Sequence, residues 1–584
     1  MLRRYRLLLV TCLVLGMVLG LGTQVTGCAR AKQVAHKLVG KLRAVRHALA
    51  KQAKKRTRSS HYHTRSPKPA VPLGVNVSAV SYYATSLPFV DVMKSADEFQ
   101  STDAGQQGPW DTQLAERIPR DADRYPLELP YPVPGRAVPQ VLRAALARTL
   151  YPGRYVLLYD GDGEFEFPGS RTRVVSRRKG RLELDVAQTG GALFVAITRS
   201  DKADHVRNVR VVLPGFEASY ATEPFHPRFL ERLRGVSVLR FMDWGRTNEN
   251  PLQHWEERPT PSSVQGTPRG VALEYMIDLA NRLDADAWLC VPHEVDDHYI
   301  EQMAQLVRLR LDPRHKLYLE HSNEVWNGQF PQHEYAAKHG CAAGYGEQEP
   351  NAGSCDGEGR QWAAVKWHAK RSADIFRIFT QVFGGDERLV RVLSGQAAYP
   401  ELNEALLQAF EDPRYNPTQV HADALAIAPY FGGAIADWLV TQHEVQSVSA
   451  QEIAQRAAAS IELQVKKPAA DNKLLADTYG LRLVAYEGGQ SLVATGPNTG
   501  DQQLIEKLTE ANRLPAMGAA YDAMLDSWYR QSGGELMMLF SSVDEPGKFG
   551  CWGMLENQEQ PPATSPKYLA FRRRLSALRA ASAH

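Results

Sequence analysis

The chain predicts an α/β protein, a (β/α)8 TIM barrel with an inserted all-β subdomain. Three observations carry this. Eight short apolar runs alternate with helical patterns along the body. Polar and aromatic residues gather after nearly every run, where a barrel keeps its chemistry. No glycine-rich phosphate loop follows the first run and there is no Walker lysine, which argues against a doubly wound sheet.

Leu73 to Val77 reads as the first strand, after Pro67, Pro69 and Pro72. Residues 101–139 are rich in Pro, Gly, Asp and Arg and read as an irregular crossing. From Gly153 to Glu217 the pattern turns all-β. Short candidates at 155–159, 163–167, 171–176, 181–186, 192–198 and 209–213, punctuated by Gly-Asp-Gly and Gly-Gly, predict a small sandwich. Strands then resume at 235–242, 287–292, 316–319, 391–394, 424–429, 481–486 and 535–540. Helical patterns cover 270–283, 298–311, 359–383, 449–478, 501–529 and 566–580. In the first of these, Ala272, Met276, Leu279, Ala280 and Leu283 recur at helical spacing. The expected organisation is therefore 69–112 for the start of the barrel, 113–217 for the crossing and β-rich insertion, and 218–584 for the remaining barrel.

The N-terminus reads as a signal peptide over 1–27. Arg3, Arg4 and Arg6 precede an apolar run from Leu7 to Leu21, and Val25-Thr26-Gly27-Cys28 follows. That tetrapeptide resembles a bacterial lipobox, which implies cleavage before Cys28 and a lipid anchor on it. Ala29 at the next position is compatible with outer-membrane sorting. Residues 28–68 form a basic stalk with 13 Lys or Arg and no acid. Val34, Leu38, Leu42, Val45 and Leu49 recur along it, fitting either an amphipathic helix on anionic lipid or a solvated tether. Residues 1–68 hold 16 of the 69 basic side chains and none of the 65 acids, so the body carries 53 against 65. The body is acidic despite the basic total, and nucleic acid is not an expected partner. No later segment is apolar for long enough to span a bilayer.

Six cysteines are few. Cys12 lies in the signal. Cys341 and Cys355 bracket a loop and are expected to pair in an oxidising compartment, whereas Cys290 and Cys551 read as buried thiols. No Cys or His spacing suits a metal, and no cofactor is expected.

The chemistry concentrates at Leu319-Glu320-His321-Ser322-Asn323-Glu324-Val325-Trp326-Asn327, where an apolar run becomes a loop. A second run ends alike, at Val484-Ala485-Tyr486-Glu487-Gly488-Gly489. Two strand-end glutamates suggest a two-carboxylate hydrolase. The order of elements, with Asn323-Glu324 after strand four and Glu487 after strand seven, resembles the retaining glycoside hydrolases of clan A over about residues 73–98 and 218–575. The resemblance implies Glu324 as acid/base and Glu487 as nucleophile, acting on a polysaccharide or oligosaccharide. It also implies Arg240 beside the nucleophile, a Tyr430 hydroxyl on it, and Trp552 as a floor of the cleft. Asn323, His293, Glu294, Gln396, Trp244 and Trp326 take supporting or sugar-binding places, with Trp255 and Phe540 as further aromatic surface. Glu320 is the rival carboxylate, a buried partner to Arg240 or another base.

Two departures set the chain apart from familiar cellulases and mannanases: the β insertion, and the length of residues 327–360. The competing expectation is a non-catalytic glycan-binding envelope lipoprotein on the same barrel. An esterase is disfavoured by the absence of a Gly-x-Ser-x-Gly elbow.

Overall fold

The computed structural model describes residues 72–582, apart from 106–107, 149–150, 170–171, 188–190, 347–354 and 356. The expected signal peptide, Cys28 and the expected basic stalk lie outside the described residues.

Eight parallel strands close into a barrel. In chain order they are Leu73–Asn76, Val238–Arg240, Asp286–Val291, Leu317–His321, Leu389–Ser394, Ala424–Ile427, Arg482–Ala485 and Leu536–Leu539. Each overlaps a predicted run, with ends that differ by at most three residues. The first and eighth pair through Val75 and Leu539, which shuts the ring. Alternation along each strand divides the core in two. Leu239, Leu289, Leu317, Leu319, Leu393 and Leu483 face outward into a large cluster with the surrounding helices. Val238, Trp288, Tyr318, Val392, Val484 and Met538 face inward and fill the barrel. Arg240 shares the parity of Val238, and Glu320 that of Tyr318, so both are charged groups placed inside. Gly74 makes room for Met538 inside the barrel, since a β-carbon there would lie 2.4 Å from Met538 Sδ.

The helices pack outside, among them Leu273–Arg282, Asp297–Arg310, Glu358–Phe383, Pro400–Glu411, Ala450–Ile461 and Pro566–Ser582. Leu279, Ile300, Phe376, Leu406, Ile453 and Phe571 carry their buried faces. The predicted 501–529 helix is two, Gln502–Arg513 and Pro515–Asp526, because Pro515 has no N–H with which to continue the first. Among the described residues, no helix is long and apolar enough to cross a membrane.

The insertion is a sandwich of two four-stranded antiparallel sheets. One orders Gln100–Asp103, Gln140–Arg148, Ala192–Ser200 and Gly163–Glu166; the other orders Thr172–Arg178, Arg181–Val186, Gly153–Asp160 and Arg207–Val212. Leu142, Leu157, Leu184, Val195 and Val211 meet in a separate core. Two of these strands fall outside the predicted β runs: Gln100–Asp103 at the start of the stretch read as an irregular crossing, and Gln140–Arg148 just after it. The β layer thus starts ahead of residue 113. Arg148 pairs with Glu545 at 2.8 Å, tying the sandwich to the loop after the eighth barrel strand. The Cys341 and Cys355 sulfurs are bonded, closing the loop after the helix Pro331–Ala342, while Cys290 and Cys551 are free and buried.

Candidate active site

The C-terminal ends of strands one, two, four, six and seven converge on one buried polar cluster. Its centre is Arg240, with a fully buried side chain. Nη1 donates to Glu487 Oε1 at 2.9 Å and to Asn76 Oδ1 at 3.0 Å. Nη2 donates to Asn323 Oδ1 at 2.8 Å and Glu320 Oε2 at 3.0 Å, and Nε donates to the same Glu320 oxygen at 3.1 Å. Every N–H of the guanidinium therefore has an acceptor. Its faces lie against Trp288 and Tyr486, with centroids 5.6 and 5.1 Å away.

Glu487 follows the seventh strand and is 6% exposed. Arg240 holds one oxygen and the Tyr430 hydroxyl donates to the other at 2.8 Å. Burial raises this carboxyl, and the guanidinium and the phenol pull against that rise. We assign the ionised form to Glu487, since it alone of the two strand-end glutamates touches a cation.

Glu324 is half-buried and has neutral partners only. Tyr486 Oη donates to its Oε1 at 3.2 Å, and Asn327 Nδ2 to its Oε2 at 2.9 Å. Burial, and then the negative charge of Glu487, push it up to about 7. The loop that presents it is unusual. Ser322 and Glu324 have φ of 56° and 43°, a left-handed conformation that costs of order 1 kcal/mol or more per residue. Surrounding bonds hold it there. Gln332 Nε2 donates to Asn323 O at 2.7 Å, Asn323 Nδ2 to Asn248 Oδ1 at 2.9 Å, and the Asn327 amide to Glu324 O at 2.8 Å.

Glu320 is fully buried, so its carboxyl has no open path to the cleft. It is the partner of Arg240, one of the two places the sequence left open to it. Trp552 is half-buried and lies edge-on to Tyr430 and Phe540, at 5.6 and 5.7 Å. Trp326 is half-buried beside the Tyr486 hydroxyl.

Other expected residues find side-chain or backbone partners outside this cluster. Trp244 is fully buried in the outer core, 6.2 Å from Phe229 and stacked on it, with Nε1 donating to Ser78 O. It is a packing residue, because the chain has turned outward by four positions after Arg240. Trp255 likewise packs on Tyr299 and Arg258. His293 is buried against Tyr335, Glu294 accepts from Gln253 at 2.7 Å, and Gln396 is fixed through its backbone by Asn403. Sequence reasoning missed Asn76, Tyr486 and Asn327. The inward parity of Asn76 with Gly74, and of Tyr486 with Val484, was the available signal. It also missed Asp243, whose carboxyl is pushed up to about 7 by burial and then by Glu487.

No protein-family model and no curated protein sequence matches the chain. Solved structures similar to it include a 4-O-α-L-rhamnosyl-β-D-glucuronidase from Fusarium oxysporum 12S, at 9% identity and a TM-score of 0.35, covering 62% of this chain and 67% of that one. A fungal β-1,4-galactanase structure aligns at 9% identity and a TM-score of 0.34, over 60% of this chain and 91% of that one. A β-glucosidase from Thermotoga maritima aligns at 11% identity and 0.31, over 59% and 83%.

Proposed function

We propose that this protein is a retaining glycoside hydrolase that cleaves polysaccharide. The observation that carries the proposal is the asymmetry of the two carboxyls at one barrel mouth. Glu487 is held by a guanidinium and a phenol, and Glu324 by neutral donors at about 7. In the first step a Glu487 oxygen bonds to the anomeric carbon while the glycosidic C–O bond breaks and Glu324 gives its proton to the leaving oxygen. In the second, water attacks the same carbon, its proton passes to Glu324, and the Glu487 carboxylate departs. Tyr83, Tyr399 and Phe549 are 57%, 43% and 72% exposed on loops after strands one, five and eight. These aromatic faces favour an extended sugar chain and internal cleavage.

The test is covalent trapping. A panel of 2,4-dinitrophenyl 2-deoxy-2-fluoroglycosides (gluco, galacto, manno and glucurono) is incubated with the full chain. Intact mass should rise by one fluoroglycosyl group, mapped to Glu487. Labelling elsewhere, or turnover undiminished in Glu487→Gln, refutes the assignment; binding of glycan without either supports the non-catalytic alternative.

We also propose export and anchoring through Cys28, on the strength of residues 3–28. Radiolabelled palmitate should enter the wild-type chain and not Cys28→Ala.

A further inference from the structure

Glu320 has a peculiar set of contacts. Arg240 Nε and Nη2, Trp288 Nε1 at 2.8 Å and Cys290 Sγ at 3.4 Å all converge on its Oε2. Its Oε1 is buried with no hydrogen-bond partner among the described residues. The carboxylate is thus turned to concentrate its contacts on the Nε and Nη2 edge of Arg240, away from the Nη1 that holds Glu487. One cation lies between two buried carboxylates, and both ion pairs are near 3 Å.

We propose that Glu320 is a positioning residue that divides the charge of Arg240, so that Glu487 is oriented and ionised yet keeps an electron pair available for attack. A guanidinium given wholly to Glu487 would hold its negative charge too firmly, since a carboxylate beside an undivided cation becomes a weaker base. Sharing the cation with Glu320 offsets that, and the Glu320 charge itself raises the basicity of Glu487. The ionisable groups around Glu487 are Arg240 from strand two, Asp243 beyond it, Cys290 from strand three, Glu320 and Glu324 from strand four and its loop, Tyr430 after strand six and Tyr486 just after strand seven. Among these, Glu320 meets the cation directly and does not reach the cleft. This role rests on Glu487 being the nucleophile.

The test compares wild type with Glu320→Gln, which keeps shape and loses the charge. In full-chain protein labelled with [δ-13C]glutamate, the Glu487 carboxyl resonance is assigned by its loss in Glu487→Gln and followed against pH. Its midpoint should fall by about one unit in Glu320→Gln. The acid limb of labelling by the fluoroglycoside panel should move down equally, with the basic limb unchanged. Glu320→Asp, which restores the charge, should return the midpoint towards wild type. Should Glu320→Gln fail to fold, Trp288→Phe removes one donor from Oε2, strengthens the hold of Glu320 on Arg240 and should raise the midpoint. An unmoved midpoint, or a loss of rate uniform with pH, overturns the proposal. A shifted midpoint without any labelling leaves the charge division standing and refutes the glycosidase instead.

Discussion

The tips of barrel strands four and seven present the same side chain in opposite settings. At strand seven, Glu487 is deep and fixed at both oxygens by a cation and a phenol. At strand four, Glu324 stands on a left-handed turn, nearer solvent, held by an amide and a phenol. On the proposed roles, the difference teaches that one barrel makes an anion and an acid from two glutamates by choosing their donors. The tips are also linked. Tyr486, which donates to Glu324, immediately precedes Glu487, and Asn323, which accepts from Arg240, immediately precedes Glu324.

The largest effect should come from exchanging the two roles chemically. Glu487→Gly should lose turnover of aryl glycosides by several orders of magnitude. Azide, attacking opposite the leaving group, should restore rate and give an inverted glycosyl azide. Glu324→Gly should lose about 10²–10⁴-fold on substrates with poor leaving groups and much less on dinitrophenyl glycosides. Here azide should intercept the glycosyl-enzyme and give the retained configuration. NMR of the two azide products decides the assignment, and swapped stereochemistry reverses it.

The pH profile sharpens the same contrast. Glu324 must carry its proton to act as the acid, and its raised value keeps that proton in place up to about 7. Rate should therefore fall as pH rises through about 7, a limb that belongs to Glu324 and disappears in Glu324→Gln. If Glu487 is the proposed nucleophile, it should set the acid limb, with rate falling as protonation removes its charge. Stopped assays of kcat/KM across pH check both.

Much of this was legible before the fold was known, and the exceptions have physical causes. Parallel strands covered on both faces are continuous apolar runs, so all eight barrel strands could be read, and with them the positions of Glu324 and Glu487. Gln140–Arg148 is also buried on both faces, but its Val-Leu-Arg-Ala-Ala-Leu-Ala run favours helix by composition. Its Arg143 is sheltered over Trp110 at 3.7 Å, a pairing that spacing does not reveal. Asn76 and Tyr486 escaped notice because their meaning lies in partners 164 and 162 residues away. Trp244 was misplaced for the converse reason. An aromatic soon after a strand end fits either a cleft or the outer core, and spacing does not reveal that the Phe89, Phe225 and Phe229 rings claim it.

The two phenols offer a smaller and more selective break. Tyr430→Phe removes a donor to Glu487 and should slow fluoroglycoside labelling roughly 10-fold, moving the acid limb up. Tyr486→Phe removes a donor to Glu324 and should move the basic limb up, with labelling at pH 6 little changed. If either substitution shifts both limbs alike, the two tips share one hydrogen-bonded unit and are not separately tuned.

The smallest effect is on stability, and its sign runs against activity. Glu324 binds its proton more tightly in the folded chain than in the unfolded one, so ionising it above about 7 destabilises the fold. That penalty is of order 3 kcal/mol at pH 8, for a shift from the ordinary carboxylate value to about 7. It declines as pH falls and is gone below about 4, where both states are protonated. Glu324→Gln has no charge to bury. It should therefore melt above wild type at pH 8, by a margin that shrinks through pH 6 and vanishes near pH 4, while turnover is lost throughout. Scanning calorimetry of the two proteins at these three values measures it. A constant margin across pH would mean that ionisation of Glu324 is not what costs the fold stability at the tip of strand four.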